Sequence, residues 1–180
     1  MRWLHSSAAL VGLPGSGKST IGKHLAARLN LPFVDSDAVL ERQLGCSVRN
    51  FFEREGEAVF RDIEQSVIDG LTQKRDCILS TGGGVVLRQA NRDALSTRCQ
   101  TIYLHSPPEE VFRRLRHDRN RPLLQVPDPL GRLKELYTER DPLYRETAHF
   151  VVETGRPSIA TLVNTIVMQL ELGGDLGADS

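Results

Sequence analysis

The stretch AALVGLPGSGKST, residues 8–20, decides the fold. Its first part is a short apolar run, suited to a buried strand. Its second part, Gly12 to Ser19, fits the spacing G-x-x-x-x-G-K-[ST]. A strand that feeds a glycine turn and then a helix is the setting in which this spacing cradles phosphate. The glycines let backbone N–H groups converge, and the helix start adds its positive dipole. Gly15, Ser16, Gly17, Lys18, Ser19 and Thr20 are therefore the expected nucleotide contacts. Lys18 is placed to reach the β and γ phosphates, and Ser19 to ligate Mg²⁺. A glycine turn that merely holds a lysine is the plainer alternative, and the flanking strand and helix weigh against it. No guanine signature of the NKxD kind occurs in the chain, so ATP is the expected nucleotide.

Working outward, strand-like apolar runs recur at residues 8–13, 32–37, 76–81, 100–106 and 149–154. Helical patterns lie between them. Phe60, Ile63, Val67 and Leu71 step by three and four, and Ile159, Leu162, Val163, Ile166, Val167 and Leu170 do so near the end. Pro157 and Ser158 suit the start of that last helix. Strands alternating with helices predict an α/β fold, with a parallel sheet covered on both faces. The 180 residues suit one domain with a real core, and no repeat or linker divides them. Residues 116–130 break the rhythm with three prolines and mixed charge, as a lid or a disordered segment would. A frayed tail is expected over 173–180.

Composition narrows the function. Lys+Arg and Asp+Glu are both 23, so the formal charge is zero and neither nucleic acid nor a membrane surface is favoured. Arginine far outnumbers lysine, and Arg113, Arg114, Arg116, Arg119 and Arg121 crowd together. Arginine suits forked recognition of phosphate and carboxylate. Cys46, Cys77 and Cys99 share no metal-ligand spacing and read as reduced thiols of a cytoplasmic protein. The N-terminal apolar run leads straight into the glycine loop and reads as a strand, not a signal peptide.

The cradle does not say where a phosphoryl group goes. Asp35 and Asp37 follow the second strand, and ligands of open parallel sheets bind beyond the carboxyl ends of strands. One carboxylate could hold Mg²⁺ through water and the other draw a proton from an attacking hydroxyl. Helix capping is the competing role. Gly82, Gly83 and Gly84, in STGGG, follow the third strand, where bare backbone lets a small ligand approach. Arg61 sits on the helix that buries Phe60 and Ile63, with Glu64 three residues on to steady it. A surface ion pair is the commoner meaning of such a pair. Arg140 lies just before an expected helix break at Pro142. Together these residues suggest a small, anionic, hydroxylated substrate.

In this order GLPGSGKST, DSD (35–37), FRDIE (60–64), STGGG (80–84), RPLL (121–124) and ERDPLY (139–144) resemble the shikimate kinase family over about residues 8–168. The resemblance implies a P-loop fold of nucleoside-monophosphate-kinase type. Its five-stranded parallel sheet would have the order 2-3-1-4-5, flanked by helices, with a mobile lid. It implies transfer of the ATP γ-phosphoryl group to the 3-hydroxyl of shikimate, with Mg²⁺, on the way to chorismate and the aromatic amino acids. Asp37 would bind the shikimate hydroxyls and act at the attacking oxygen. Arg61 and Arg140 would clamp the carboxylate, beside Gly82, Gly83 and Gly84. Lys18 and the lid residue Arg121 would hold the transferring phosphoryl group. Ser19 would bind Mg²⁺ directly and Asp35 through water. Arg114, with Arg156 and Pro157 opposite, would contact adenine, and Arg119 receives no role. A cytoplasmic monomer with no nucleic-acid or membrane partner is expected.

Three other readings compete. A gluconate kinase would share the cradle and an anionic polyol, but STGGG, RPLL and PLY count against it. A non-catalytic ATP-sensing module would lack the acceptor residues Asp37, Arg61 and Arg140. A nucleic-acid binder would use the 113–121 arginines, which Glu109, Glu110 and Asp118 dilute.

Overall fold

The computed structural model describes residues 7–116 and 126–178, with side chains through residue 172. The chain alternates as expected. Strand β1 (Ser7–Val11) leads into helix α1 (Lys18–Leu29), then β2 (Phe33–Asp35), α2 (Ser36–Leu44), α3 (Val48–Glu55) and α4 (Glu57–Thr72). There follow β3 (Ile78–Ser80), a 3₁₀ turn (Val85–Leu87), α5 (Gln89–Arg98), β4 (Cys99–His105) and α6 (Pro108–Leu115). The described chain ends with α7 (Pro129–Thr147), β5 (Phe150–Glu153) and α8 (Ile159–Ala178).

The sheet has five strands in the order β2-β3-β1-β4-β5. Every ladder is parallel, with Ala8 beside Ile78 on one side and Gln100 on the other. The expected topology is thus present. Successive side chains of a strand point to opposite faces, which divides the core in two. Ala9, Val11, Leu79 and Tyr103 pack toward α2–α7, with Leu40, Phe60, Ile68 and Leu136. Ala8, Leu10, Ile78, Ile102 and Leu104 pack toward α1 and α8, with Leu25, Leu162, Ile166 and Leu170. The periodic residues of the last helix are its buried face, and Ser158 caps it by accepting from the Thr161 N–H at 3.2 Å.

Strand order reverses at β1, whose neighbours β3 and β4 come from later in the chain. Loops at its carboxyl end therefore diverge and leave a crevice. The cradle, the β2–α2 junction and the loop after β3 all meet there.

Some boundaries differ from expectation. Pro142 lies inside α7 rather than breaking it. Proline removes one backbone donor, and Leu133, Leu136 and Tyr144, buried on either side of it, hold the helix on course. Pro129 and Leu130 belong to α7 and not to an irregular segment. At the other end α8 runs on to Ala178, into the stretch expected to fray. Once nucleated, a helix gains one hydrogen bond for each residue added, and that can outweigh the glycines in that stretch.

Two helical glycines should respond in opposite ways. A methyl group on Gly22 would lie 2.6 Å from Phe33 Cε2, whereas one on Gly70 would meet nothing within 4 Å. Gly70→Ala is expected to add about 0.5–1 kcal/mol of stability. Gly22→Ala should lose about 1–3 kcal/mol through overpacking, despite the better helix former. Urea unfolding of both variants checks the pair.

Candidate active site

The cradle begins where β1 ends. Gly15 and Gly17 have φ values of +82° and +96°, a left-handed conformation that glycine adopts without strain. Gly15 also lies against Leu115, whose Cδ1 would be 2.7 Å from an added methyl. The loop is thereby held to α6. Lys18, at the first position of α1, is buried and donates to the carbonyls of Gly12 at 2.7 Å and Leu13 at 2.9 Å. Its ammonium is anchored over the loop. Ser16 Oγ is buried with no hydrogen-bond partner among the described residues.

Asp35 takes the capping role and turns its other oxygen to the cradle. Oδ1 caps α2, accepting from the N–H groups of Asp37 at 2.9 Å and Ala38 at 3.4 Å. Oδ2 accepts from Ser19 Oγ at 3.3 Å, at the mouth of the cradle. A cap and a crevice-facing oxygen thus share one carboxylate. Asp37, the second residue of α2, points at the glycine loop. Burial raises its pKa, and the neighbouring Asp35 raises it further, while Lys18 and Arg61 pull it back.

The glycine loop explains its own composition. A methyl on Gly82 would lie 2.7 Å from Asp37 Oδ1, and one on Gly83 would lie 2.7 Å from Pro14 Cδ. One on Gly84 would collide with the Arg61 guanidinium. Each missing side chain makes room for a different functional element: the acid, the phosphate cradle and a cation. The bare backbone therefore admits the protein's own groups. The loop is tied down by the Gly82 N–H, which donates to the buried hydroxyl of Ser36 at 3.1 Å.

Arg61 is largely covered. Its Nη1 donates to Glu64 Oε1 at 2.8 Å, and side-chain exposures of 12% and 2% make this a buried pair, not a surface one. Its guanidinium also lies over the rings of Phe60 and Phe52, at 5.2 and 6.0 Å. Burial raises the Glu64 pKa and Arg61 opposes the rise, with weaker influences from Asp37 and Arg140. Asp37, Arg61 and Arg140 thus sit within electrostatic reach of one carboxylate. The Nε atoms of Arg61 and Arg140 are buried without hydrogen-bond partners among the described residues.

A second cleft, of about 330 Å³, opens on the far side of the cradle, between Gly17 and Thr20 on one wall and Arg114, Gly155 and Pro157 on the other. Arg114 spans it, donating to the carbonyls of Ser16 and Thr154, each at 3.2 Å. Arg156 is exposed beside Pro157. Arg121 and Arg119 lie outside the described residues.

Sequence reasoning missed several supports. Ser36 and Pro14 carry no signal of their own, and Thr154 only its place in the loop that ends at Pro157. Thr154 is buried, and its hydroxyl lies within hydrogen-bond distance of Ser106, the His105 carbonyl and Arg114.

A phosphate cradle at a helix start, an acid at the next strand end and a cationic floor make this a P-loop kinase by fold and by site. The chain belongs to the shikimate kinase family, whose model matches residues 14–171. It is 58% identical to the shikimate kinase of Paracidovorax citrulli, over 97% of each chain. The structure of shikimate kinase from Acinetobacter baumannii in complex with shikimate superposes with a TM-score of 0.88, at 42% identity and 95% coverage of each chain. A gluconokinase from Sinorhizobium meliloti matches at a TM-score of 0.62 and 19% identity, with 97% of each chain covered, a likeness of fold alone.

The buried Asp37 carboxylate should oppose folding. An acid with a raised pKa binds protons more readily when folded, so its contribution to stability falls as pH climbs from the unfolded pKa through the folded one. Above the folded pKa the penalty is fully present. Asp37→Asn should therefore raise the urea midpoint at pH 7, by an increment that shrinks as the pH is lowered toward the ordinary aspartate range.

Proposed function

We propose that this protein transfers the γ-phosphoryl group of ATP to the 3-hydroxyl of shikimate, giving shikimate 3-phosphate and ADP, in the chorismate route to aromatic amino acids. The observation that carries it is the gathering of Asp37 and Arg61 at the glycine loop, beside the cradle, with Arg140 within electrostatic reach of the Arg61 partner Glu64. An acceptor bound there has its carboxylate at the two guanidinium groups. Its ring lies over Gly82 to Gly84, and its hydroxyl stands between Asp37 and the cradle. Charge-assisted hydrogen bonds contribute about 1.5–3 kcal/mol each, enough for two arginines to orient the ring.

In the transfer, the acceptor oxygen bonds to the γ phosphorus as the bond to the ADP oxygen breaks. The hydroxyl proton passes to a carboxylate oxygen of Asp37, whose raised pKa favours accepting it. Lys18 holds the phosphates against the loop amides and offsets the charge that spreads in the transition state. Arg121, from a lid between α6 and α7 of a single kinase domain, would approach the same group.

Ser19 Oγ and Asp35 Oδ2, 3.3 Å apart, suit Mg²⁺, with Ser19 as a direct ligand and Asp35 acting through water. Mg²⁺ takes one or two carboxylates together with substrate phosphates, in keeping with the lack of any cluster of three or more metal-binding side chains among the described residues. When bound it would neutralise phosphate charge. Gly15, Ser16, Gly17 and Thr20 would contact the phosphates, and Arg114, Arg156 and Pro157 the adenine. Among the described residues no helix is long and apolar enough to cross a membrane. Three free thiols suit the cytoplasm, zero net charge does not favour a nucleic-acid partner, and a monomer is proposed.

ADP release should depend on shikimate, and gluconate should not replace it. Lys18→Ala should abolish turnover. Arg61→Ala and Arg140→Ala should raise the shikimate KM at least tenfold and leave the ATP KM within a few-fold. Steady-state kinetics with each substrate varied checks this; an unchanged shikimate KM in both arginine variants contradicts it.

A further inference from the structure

The two guanidinium groups of the acceptor floor are held in different ways. Arg61 is fixed by a carboxylate, Glu64. Arg140 has no ion pair among the described residues, and its buried Nε has no hydrogen-bond partner there. Tyr144 lies one helical turn further along α7 on the same face, with its hydroxyl within electrostatic reach of Arg140.

Tyr144 is 1% exposed, and its ring packs on Tyr103 with centroids 5.0 Å apart. Its hydroxyl lies 2.6 Å from the carbonyl oxygen of Gly83. The carbonyl can only accept, so the single phenolic proton points at Gly83. The oxygen lone pairs are then left for the Arg140 N–H groups. Burial pushes the phenol pKa upward, so the hydroxyl keeps that proton. Gly83 in turn rests on Pro14 of the cradle, at a separation too small for a side chain. Tyr144 therefore joins three parts of the site: the helix that carries Arg140, the glycine loop and, through that loop, the phosphate cradle.

We infer that Tyr144 is a positioning residue for the acid acceptor, whose hydroxyl orients the Arg140 guanidinium and locks α7 to the Gly83 carbonyl. This rests on the acceptor reading above. A neutral phenol suits the task because it fixes direction without supplying a counter-charge. Glu64 already balances Arg61, and a second carboxylate at Arg140 would compete with the substrate's own.

The test is Tyr144→Phe, which keeps the ring against Tyr103 and removes one oxygen. The shikimate KM should rise about tenfold with the ATP KM within twofold and kcat reduced by less than the KM rises. In an Arg140→Ala background the same substitution should change the shikimate KM less than twofold, because the group it orients is gone. A structural role alone would lower the urea midpoint and act equally in both backgrounds. An unchanged shikimate KM in Tyr144→Phe, or full additivity with Arg140→Ala, overturns the inference. Should Tyr144→Phe not fold, Arg140→Lys replaces it. That variant keeps the charge but lacks the fork that spans hydroxyl and substrate, and a wild-type shikimate KM there overturns the inference too. If the unaltered protein shows no shikimate-dependent ADP release, the acceptor reading fails and the inference falls with it. If it does and Tyr144→Phe matches it, only the inference fails.

Discussion

Three protein groups stand where the side chains of residues 82–84 would be. Asp37, Pro14 and Arg61 each occupy the space beside one glycine, so the loop after β3 acts as a template on which acid, cradle and cation are set at close range. None of the three glycines has a positive φ. Their requirement is therefore steric. The packing is sequence-distant, joining the loops after β1, β2 and β3 with α4, and only the parallel order β2-β3-β1 brings them together.

Charge is distributed with the same economy of space. Four ionisable side chains, Asp37, Arg61, Glu64 and Arg140, are close enough to influence one another. Glu64 neutralises one guanidinium. Asp37 carries an unfavourable burial of its charge, the kind of local cost that functional sites retain and the surrounding core must offset. Arg140 has no ion pair among the described residues, and in the proposed reading its charge would meet a ligand. The floor is thus partly preorganised and partly unsatisfied. In the proposed reading an anionic acceptor would complete it, and removing the acceptor's acid group would leave buried donors without partners.

Much of this was legible in the chain. The cradle was, because spacing, strand and helix agree and each has a physical reason. The sheet order came from resemblance, since local patterns show which segments are strands but not which strands are neighbours. The sequence allows Asp35 to be a cap or a ligand, and its two oxygens let it serve as a cap and still face the cradle. The triple glycine was located correctly and explained incompletely: open backbone for a substrate was expected, and three packed protein groups were found. The break expected at Pro142 did not form, because tertiary burial of Leu133, Leu136 and Tyr144 overrides one lost backbone bond. Ser36 and Pro14 carry no local signal, since their roles exist only through contacts to residues far along the chain.

The template idea rests on Gly84, whose absent side chain gives Arg61 its place. Calorimetric titration of the Gly84→Ala variant with shikimate and, separately, with an ATP analogue tests it most directly. A displaced guanidinium should weaken shikimate binding at least tenfold and leave the nucleotide affinity within a few-fold. Shikimate affinity equal to that of the unaltered protein would contradict the account.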